Sequence, residues 1–307
     1  MSFLVRLPRD TYRSHALDGF TIDPHFTSGN AQAMMWLAQL AYETDDRGKV
    51  DEILKAWKLE LLEFGPDPPT SRLVPPQARF IVAVGRGATF VTFSGTDPLS
   101  IRDWITDFTL SPQLDTFHEG FRAAVEAVQP KIERAIRSSS ANEQSLFFTG
   151  HSMGAALANI SAMLALKANL PATAVYTFGA PRTGGLTFVR DYGPLGDCTF
   201  RLANGNDIVT AVPPSLFGNF RHVGRMLRCS HGSRFGQVPD QQGGNDPSII
   251  QIGLGALSDF DLSKIPSIED FRILRVDPRT LDQSHVLPEV VSDHIPAAYF
   301  RALGVTL

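Results

Sequence analysis

An α/β fold, with a central, mostly parallel sheet flanked by helices, is predicted by three observations. Short runs of β-branched and aromatic residues alternate with longer segments of helical composition, which is the pattern of strands joined by crossover helices. The 307 residues hold enough apolar side chains, 43% of the chain, for one large core. No Gly/Ser linker, charge run or internal repeat divides them, so residues 1–307 are expected to form a single domain.

Taken in order, Asn30 to Glu43 carries Met34, Leu37, Ala38 and Ala41 at helical spacing behind a cap-like Asn. Lys49 to Phe64 reads as a second amphipathic helix that stops at Gly65-Pro66. Arg79–Gly85 and Ala88–Phe93 form a predicted hairpin. Phe117 to Arg137 is expected to be one long helix, Ser145–Phe148 a buried strand and Met153–Leu166 a small-residue helix. Thr173–Phe178 and Cys198–Ala203 are further strands, and Pro296–Leu303 a closing helix. Residues 218 to 285 carry scattered Gly and Pro and are the least readable stretch.

Composition excludes some functions. The net charge of −4 is spread without a basic block, so nucleic acid is not an expected partner. No apolar run reaches the length of a membrane span. Arg6, Arg9 and Asp10 interrupt the first residues before a signal-peptide core can form, so the chain is expected either to stay inside the cell or to be a processed or otherwise exported form. The two cysteines, Cys198 and Cys229, are too few for a disulfide framework and are read as free thiols. No Cys/His cluster has metal-ligand spacing, and no metal is expected.

The chemistry concentrates at Phe147 to Ala158, FFTGHSMGAALA, where Ser152 stands between Gly150 and Gly154 at a strand-to-helix junction. Such a turn crowds its flanks and leaves the serine exposed at a helix start, where backbone N–H groups receive negative charge. A tight turn without function is the plain alternative. A nucleophilic serine needs an imidazole to take its proton and a carboxylate to hold that imidazole. In an α/β-hydrolase sheet the order is serine, acid, histidine, which excludes His15, His25, His118 and His151 and leaves His222, His231, His285 and His294. Asp207, directly after a strand and the Asn204-Gly205-Asn206 turn, is preferred over Asp191, Asp197 and Asp240. His294, at a junction with the helix that packs Tyr299, Phe300 and Leu303, is preferred over His285. Capping or turn roles are the structural alternatives for both.

The segments FSGTDPLSIRDWITDF, FHEGF, FTGHSMGAALA, YTFGAPRTG, RLANGNDIVTAVPP and SDHIPAAYF together resemble the class 3 (fungal-type) triacylglycerol lipases, in that family's order and over most of residues 90 to 300. The resemblance implies an α/β-hydrolase fold with a helical lid, Ser152 as nucleophile, Asp207 as orienting acid and His294 as base. It implies an oxyanion hole from Thr96 and Met153 and needs no cofactor. It also sets a lid at about 97–112, where Ile101, Trp104, Ile105 and Phe108 recur at i, i+3, i+4 and i+7. The expected activity is ester hydrolysis, foremost of triacylglycerols, with lipid or another ester as partner at an oil-water interface. A carboxylesterase, feruloyl esterase or phospholipase A1 of the same family is the near alternative, and a non-catalytic lipid-binding protein the distant one. The sequence departs from the family at Ala155, which replaces a glycine, in lacking the secretion signal and disulfide pattern of secreted fungal members, and in residues 218–285, which match no family segment.

Overall fold

The structure, a computed structural model, describes residues 5–65, 78–95, 114–139, 145–213, 220–236, 277–283 and 287–307. Seven strands line up in chain order: β1 (Glu60–Gly65), β2 (Phe80–Gly85), β3 (Ala88–Phe93), β4 (Ser145–His151), β5 (Ala174–Phe178), β6 (Thr199–Asn204) and β7 (Arg225–Cys229). The first three pair antiparallel, and β3 through β7 run parallel. Parallel neighbours need crossovers. Among the described residues these hold α3 (Leu114–Glu126) and α4 (Gln129–Ser138) before β4, α5 (Met153–Lys167) before β5 and α6 (Leu186–Tyr192) before β6.

Strand periodicity divides the core into two layers, because successive side chains point to opposite faces. Phe90, Phe147 and Tyr176 face α1 (Ser28–Leu40) and the aromatic Phe300, whereas Val91, Phe148 and Val175 face α3 to α6. The register makes this a ladder across strands: Phe90 sits opposite Phe147 and Val91 opposite Phe148. Phe20, from the N-terminal segment, closes the first layer with edge-on contacts of 5.0 Å to both Phe90 and Phe147.

Three elements differ from expectation. Helix α1 begins at Ser28, with Thr27 as its cap: the Asn30 amide donates to Thr27 Oγ1 at 3.0 Å, while Asn30 Oδ1 accepts from the Thr21 amide. The second helix, α2 (Arg47–Ala56), ends eight residues before Phe64 because Lys58 turns to φ 62° and the chain reverses into β1, which pairs with β2. The helix expected over 117–137 is two, α3 and α4, divided at Ala127-Val128 with Pro130 in the first turn of α4. Strand β7 lies within the stretch that resisted reading, and Cys198 and Cys229 are both free. The chain closes with α7 (Glu289–Ser292) and α8 (Pro296–Ala302). No helix among the described residues is long and apolar enough to cross a membrane.

Candidate active site

The strand β4 delivers Ser152 and the helix α5 leaves from it. Ser152 adopts φ 60° and ψ −132°, a left-handed-side conformation that few non-glycine residues hold. It is pinned there by its amide, which donates to the Phe178 carbonyl of β5 at 2.9 Å. Gly150 and Gly154 have no room for a Cβ, which would collide with the Gly154 carbonyl in the first case and the Phe93 carbonyl in the second. Helix α5 therefore crosses the strand ends at a distance that only glycine permits. Ala155, one residue on, is fully buried.

The two partners come from the loops after β6 and before α8. His294 Nε2 lies 2.9 Å from Ser152 Oγ, and its Nδ1 lies 2.9 Å from each carboxylate oxygen of Asp207. An ionised carboxylate only accepts, so Nδ1 carries the ring proton and Nε2 is left to accept from the serine hydroxyl. All three residues are buried, at 2, 3 and 1% exposure for Ser152, Asp207 and His294. A buried charge needs donors. Asp207 has them in the Val209 amide at 2.9 Å, the Tyr299 hydroxyl at 2.7 Å and the His294 ring.

Three residues missed in the sequence complete this site. Tyr299 accepts from the Asn204 amide at 3.1 Å while donating to Asp207 Oδ2, and burial, then the Asp207 charge, pushes its phenol well above its ordinary range. It remains a neutral donor. His151 Nε2 reaches the His294 carbonyl at 2.7 Å, and Tyr42 Oη lies 2.7 Å from His151 Nδ1. The carbonyl must receive a proton, so Nε2 donates and Nδ1 accepts from the tyrosine. Burial, then the neighbouring His294, holds His151 well below the ordinary histidine range. Signals existed for these residues only in part: Tyr299 was legible as a packing residue, and His151 as the neighbour of the serine.

The other expected positions divide. Met153 opens α5 directly after Ser152. Thr96, Ile101, Trp104, Ile105, Phe108, His285 and Asp240 lie outside the described residues. Gly95 does not: a Cβ added there would come within 2.8 Å of Ser152 Cβ, so the chain just before Thr96 passes against the serine. His222 instead lies 2.9 Å from the Thr210 carbonyl, and Asp191 and Asp197 form surface ion pairs with Lys167 and Arg225.

A mostly parallel sheet with a serine on a strained strand-to-helix turn, met by a histidine and an acid from later loops, is the α/β-hydrolase fold. Residues 90–217 match the family described as lipase (class 3). It is 30% identical over 150 residues to a secreted mono- and diacylglycerol lipase 1 of Fusarium solani, covering 46% of this chain and 44% of that one. A chloroplastic phospholipase A1-Ialpha2 of Arabidopsis thaliana is 30% identical over 177 residues, 46% of this chain and 36% of the other. The matched region thus spans less than half of these relatives. In fold, MDLA of Penicillium cyclopium, in a mutant form, superposes with a TM-score of 0.55 at 20% identity, covering 85% of this chain and 94% of that one. The triacylglyceride lipase of Rhizomucor miehei does so with a TM-score of 0.54 at 22% identity, over 72 and 90% of the two chains.

Proposed function

We propose that this protein is a serine ester hydrolase, a lipase that cleaves carboxylic esters of lipids, triacylglycerols foremost. The observation that carries the reading is the continuous line of 2.9 Å contacts from Ser152 Oγ through His294 to Asp207. On this reading Ser152 Oγ attacks the ester carbonyl as its proton passes to His294 Nε2. Asp207 holds the Nδ1 proton and balances the imidazolium. The carbonyl oxygen becomes an oxyanion, received by the N–H groups of Met153 and Thr96, where one aligned donor supplies roughly 10²- to 10³-fold in rate. Collapse of the adduct breaks the bond to the alcohol oxygen, which leaves with the proton from His294. Water then gives a proton to His294 and attacks the acyl-serine, and collapse returns the proton to Ser152 and frees the acid. The sum is ester plus water to alcohol plus acid, with no cofactor.

Residues 97–112 form the lid in this reading, within a single domain of residues 1–307. The stripe of Ile101, Trp104, Ile105 and Phe108 is apolar enough to cover the site when shut and to meet lipid when open. Ile105→Ser with Phe108→Ser lowers activity on emulsions more than on soluble esters; equal losses on both would remove the lid role. A second reading, phospholipase A1, is favoured by the Arabidopsis relative of that name.

The deciding experiment compares wild type with Ser152→Ala on p-nitrophenyl esters, on tri- and diacylglycerol emulsions and on phosphatidylcholine. The lipase reading expects acylglycerol cleavage that falls about 10⁴-fold or more in the variant. Preferred release of fatty acid from phosphatidylcholine would establish the phospholipase reading instead. Inactivity of the wild type on every ester would overturn both.

A further inference from the structure

Asp293 precedes His294 and takes no part in the contacts above, yet it is 3% exposed. Its Oδ2 accepts from the Asn206 amide at 2.7 Å, and its main-chain carbonyl accepts from Asn204 Nδ2 at 3.0 Å. Asn204 and Asn206 flank the turn that ends in Asp207. Gly205, between them at φ 49°, leaves the space that the carboxylate fills, since a Cβ there would collide with Asp293 Oδ2. Glu289 grips the same turn through Asn206 Nδ2 at 2.7 Å. On its other side Asp293 Oδ1 lies 2.7 Å from His231 Nδ1, on the loop after β7. The turn is tied to that strand as well, because the Gly205 amide donates to the Cys229 carbonyl at 2.9 Å.

His231, Glu289 and Asp293 have the donor chemistry of a metal site, but their geometry is that of a hydrogen bond. Two ligands held about 2.0–2.2 Å from one tetrahedral ion sit about 3.3 Å apart, farther than the separation between Asp293 and His231. Burial raises the Asp293 carboxyl, and the Asn206 amide and His231 only partly lower it; the same contact raises His231. Loss of solvation thus outweighs what the partners return to the acid. A buried ionic contact is weak evidence for net stability, so the case for Asp293 rests on which elements it joins.

We propose that Asp293, held by His231, is a positioning residue that locks the turn bearing Asp207 onto the loop bearing His294, and so sets the angle at which carboxylate meets imidazole. The proposal rests on the hydrolase reading, which makes that angle matter. The charged groups facing His231 are Asp293, Glu289 at 4.0 Å and Asp282, the last paired with Arg301. A cavity of about 460 Å³ opens beside the contact, lined by Asn204, His231, Asp293 and Arg301 but not by Ser152, so solvent reaches the clamp without crossing the serine.

The test uses Asp293→Asn, which keeps size and one acceptor, and His231→Gln, which keeps a donor on a half-exposed side chain and so retains the fold. On a soluble p-nitrophenyl ester, kcat falls about 10- to 100-fold in Asp293→Asn and less in His231→Gln, with KM and melting midpoint little moved. The double variant loses no more than Asp293→Asn alone, as expected of two groups acting through one contact. Independently of any substrate, the downfield proton resonance of His294 Nδ1–H shifts or broadens in both variants and persists in Ser152→Ala. An unmoved resonance, or a fall in kcat that only tracks lost folded protein, overturns the proposal. If wild type hydrolyses no ester, the hydrolase reading fails, and the resonance alone decides whether the clamp orients His294.

Discussion

His151 Nε2 and the carbonyl oxygen of His294 are 2.7 Å apart, so the residue beside the serine grips the backbone of the residue whose ring meets that serine. Burial disfavours a charge on that ring, and its remaining nitrogen faces the Tyr42 hydroxyl.

Neutrality has a pH signature. Burial, then the neighbouring His294, holds His151 well below the ordinary 6.5, and His222 is pushed the same way by burial and by Arg201 and Arg182. Below about pH 6.5 the unfolded chain takes up protons that the folded chain refuses, so stability falls as pH falls. The slope is up to about 1.4 kcal/mol per pH unit for each such histidine. Urea midpoints measured from about pH 7.5 to about pH 5.5 fall less steeply in His151→Gln than in wild type. Parallel slopes would mean that His151 is not the group responsible.

Tyr299→Phe removes the hydroxyl that donates to Asp207 Oδ2 at 2.7 Å and accepts from the Asn204 amide. A hydrogen bond to a buried charge contributes about 1.5–3 kcal/mol, and denaturant unfolding of the variant reads a loss in that range. Its kcat drops with the weakened hold on Asp207, while KM stays near wild type.

Ser152 at φ 60° and ψ −132° stores backbone strain that glycine does not feel. Ser152→Gly is therefore expected to be inactive and more stable than Ser152→Ala, by about 1–3 kcal/mol in unfolding free energy. A glycine variant no more stable than the alanine variant would show that the turn is relaxed.

The crossing of α5 over the strand ends predicts unequal outcomes at adjacent positions. Gly154→Ala drives a methyl group into the Phe93 carbonyl and lowers both stability and kcat. Ala155→Gly, which removes a single methyl group at the next helical position, lowers stability by only about 0.5–1 kcal/mol and leaves kcat unchanged. Thermal melts and ester assays on the two purified variants separate the cases.

The meeting of Ser152, Asp207 and His294 was legible because the expected order and the strand-to-helix context are both carried by local sequence. The hairpin Arg79–Phe93 and the α5 helix were legible for the same local reason. Strand β1 was not: Ile53, Leu54, Trp57, Leu61 and Leu62 keep a helical rhythm past Lys58, and only pairing with β2, a contact made across the intervening chain, turns the last part into a strand. Pro130 did mark the break between α3 and α4, yet the apolar pattern on either side ran through it. Asp293 and His231 are 62 residues apart, and nothing in either neighbourhood announces the other. Their meeting follows from the placing of β7 beside β6, which spacing alone does not reveal.

The register shift between Leu61 and Glu63 has an effect beyond the single molecule. Among the described residues strand β1 is one border of the sheet, and a straight, uncharged border is a template on which another chain can pair. Here the irregularity breaks the even spacing of main-chain groups, Glu63 takes up the amide of Phe64 with its own carboxylate, and Glu60 stands exposed at the start of the strand. A second molecule approaching this border meets a kinked ladder and two like charges, which makes β1 a poor template for extending the sheet from one copy to the next.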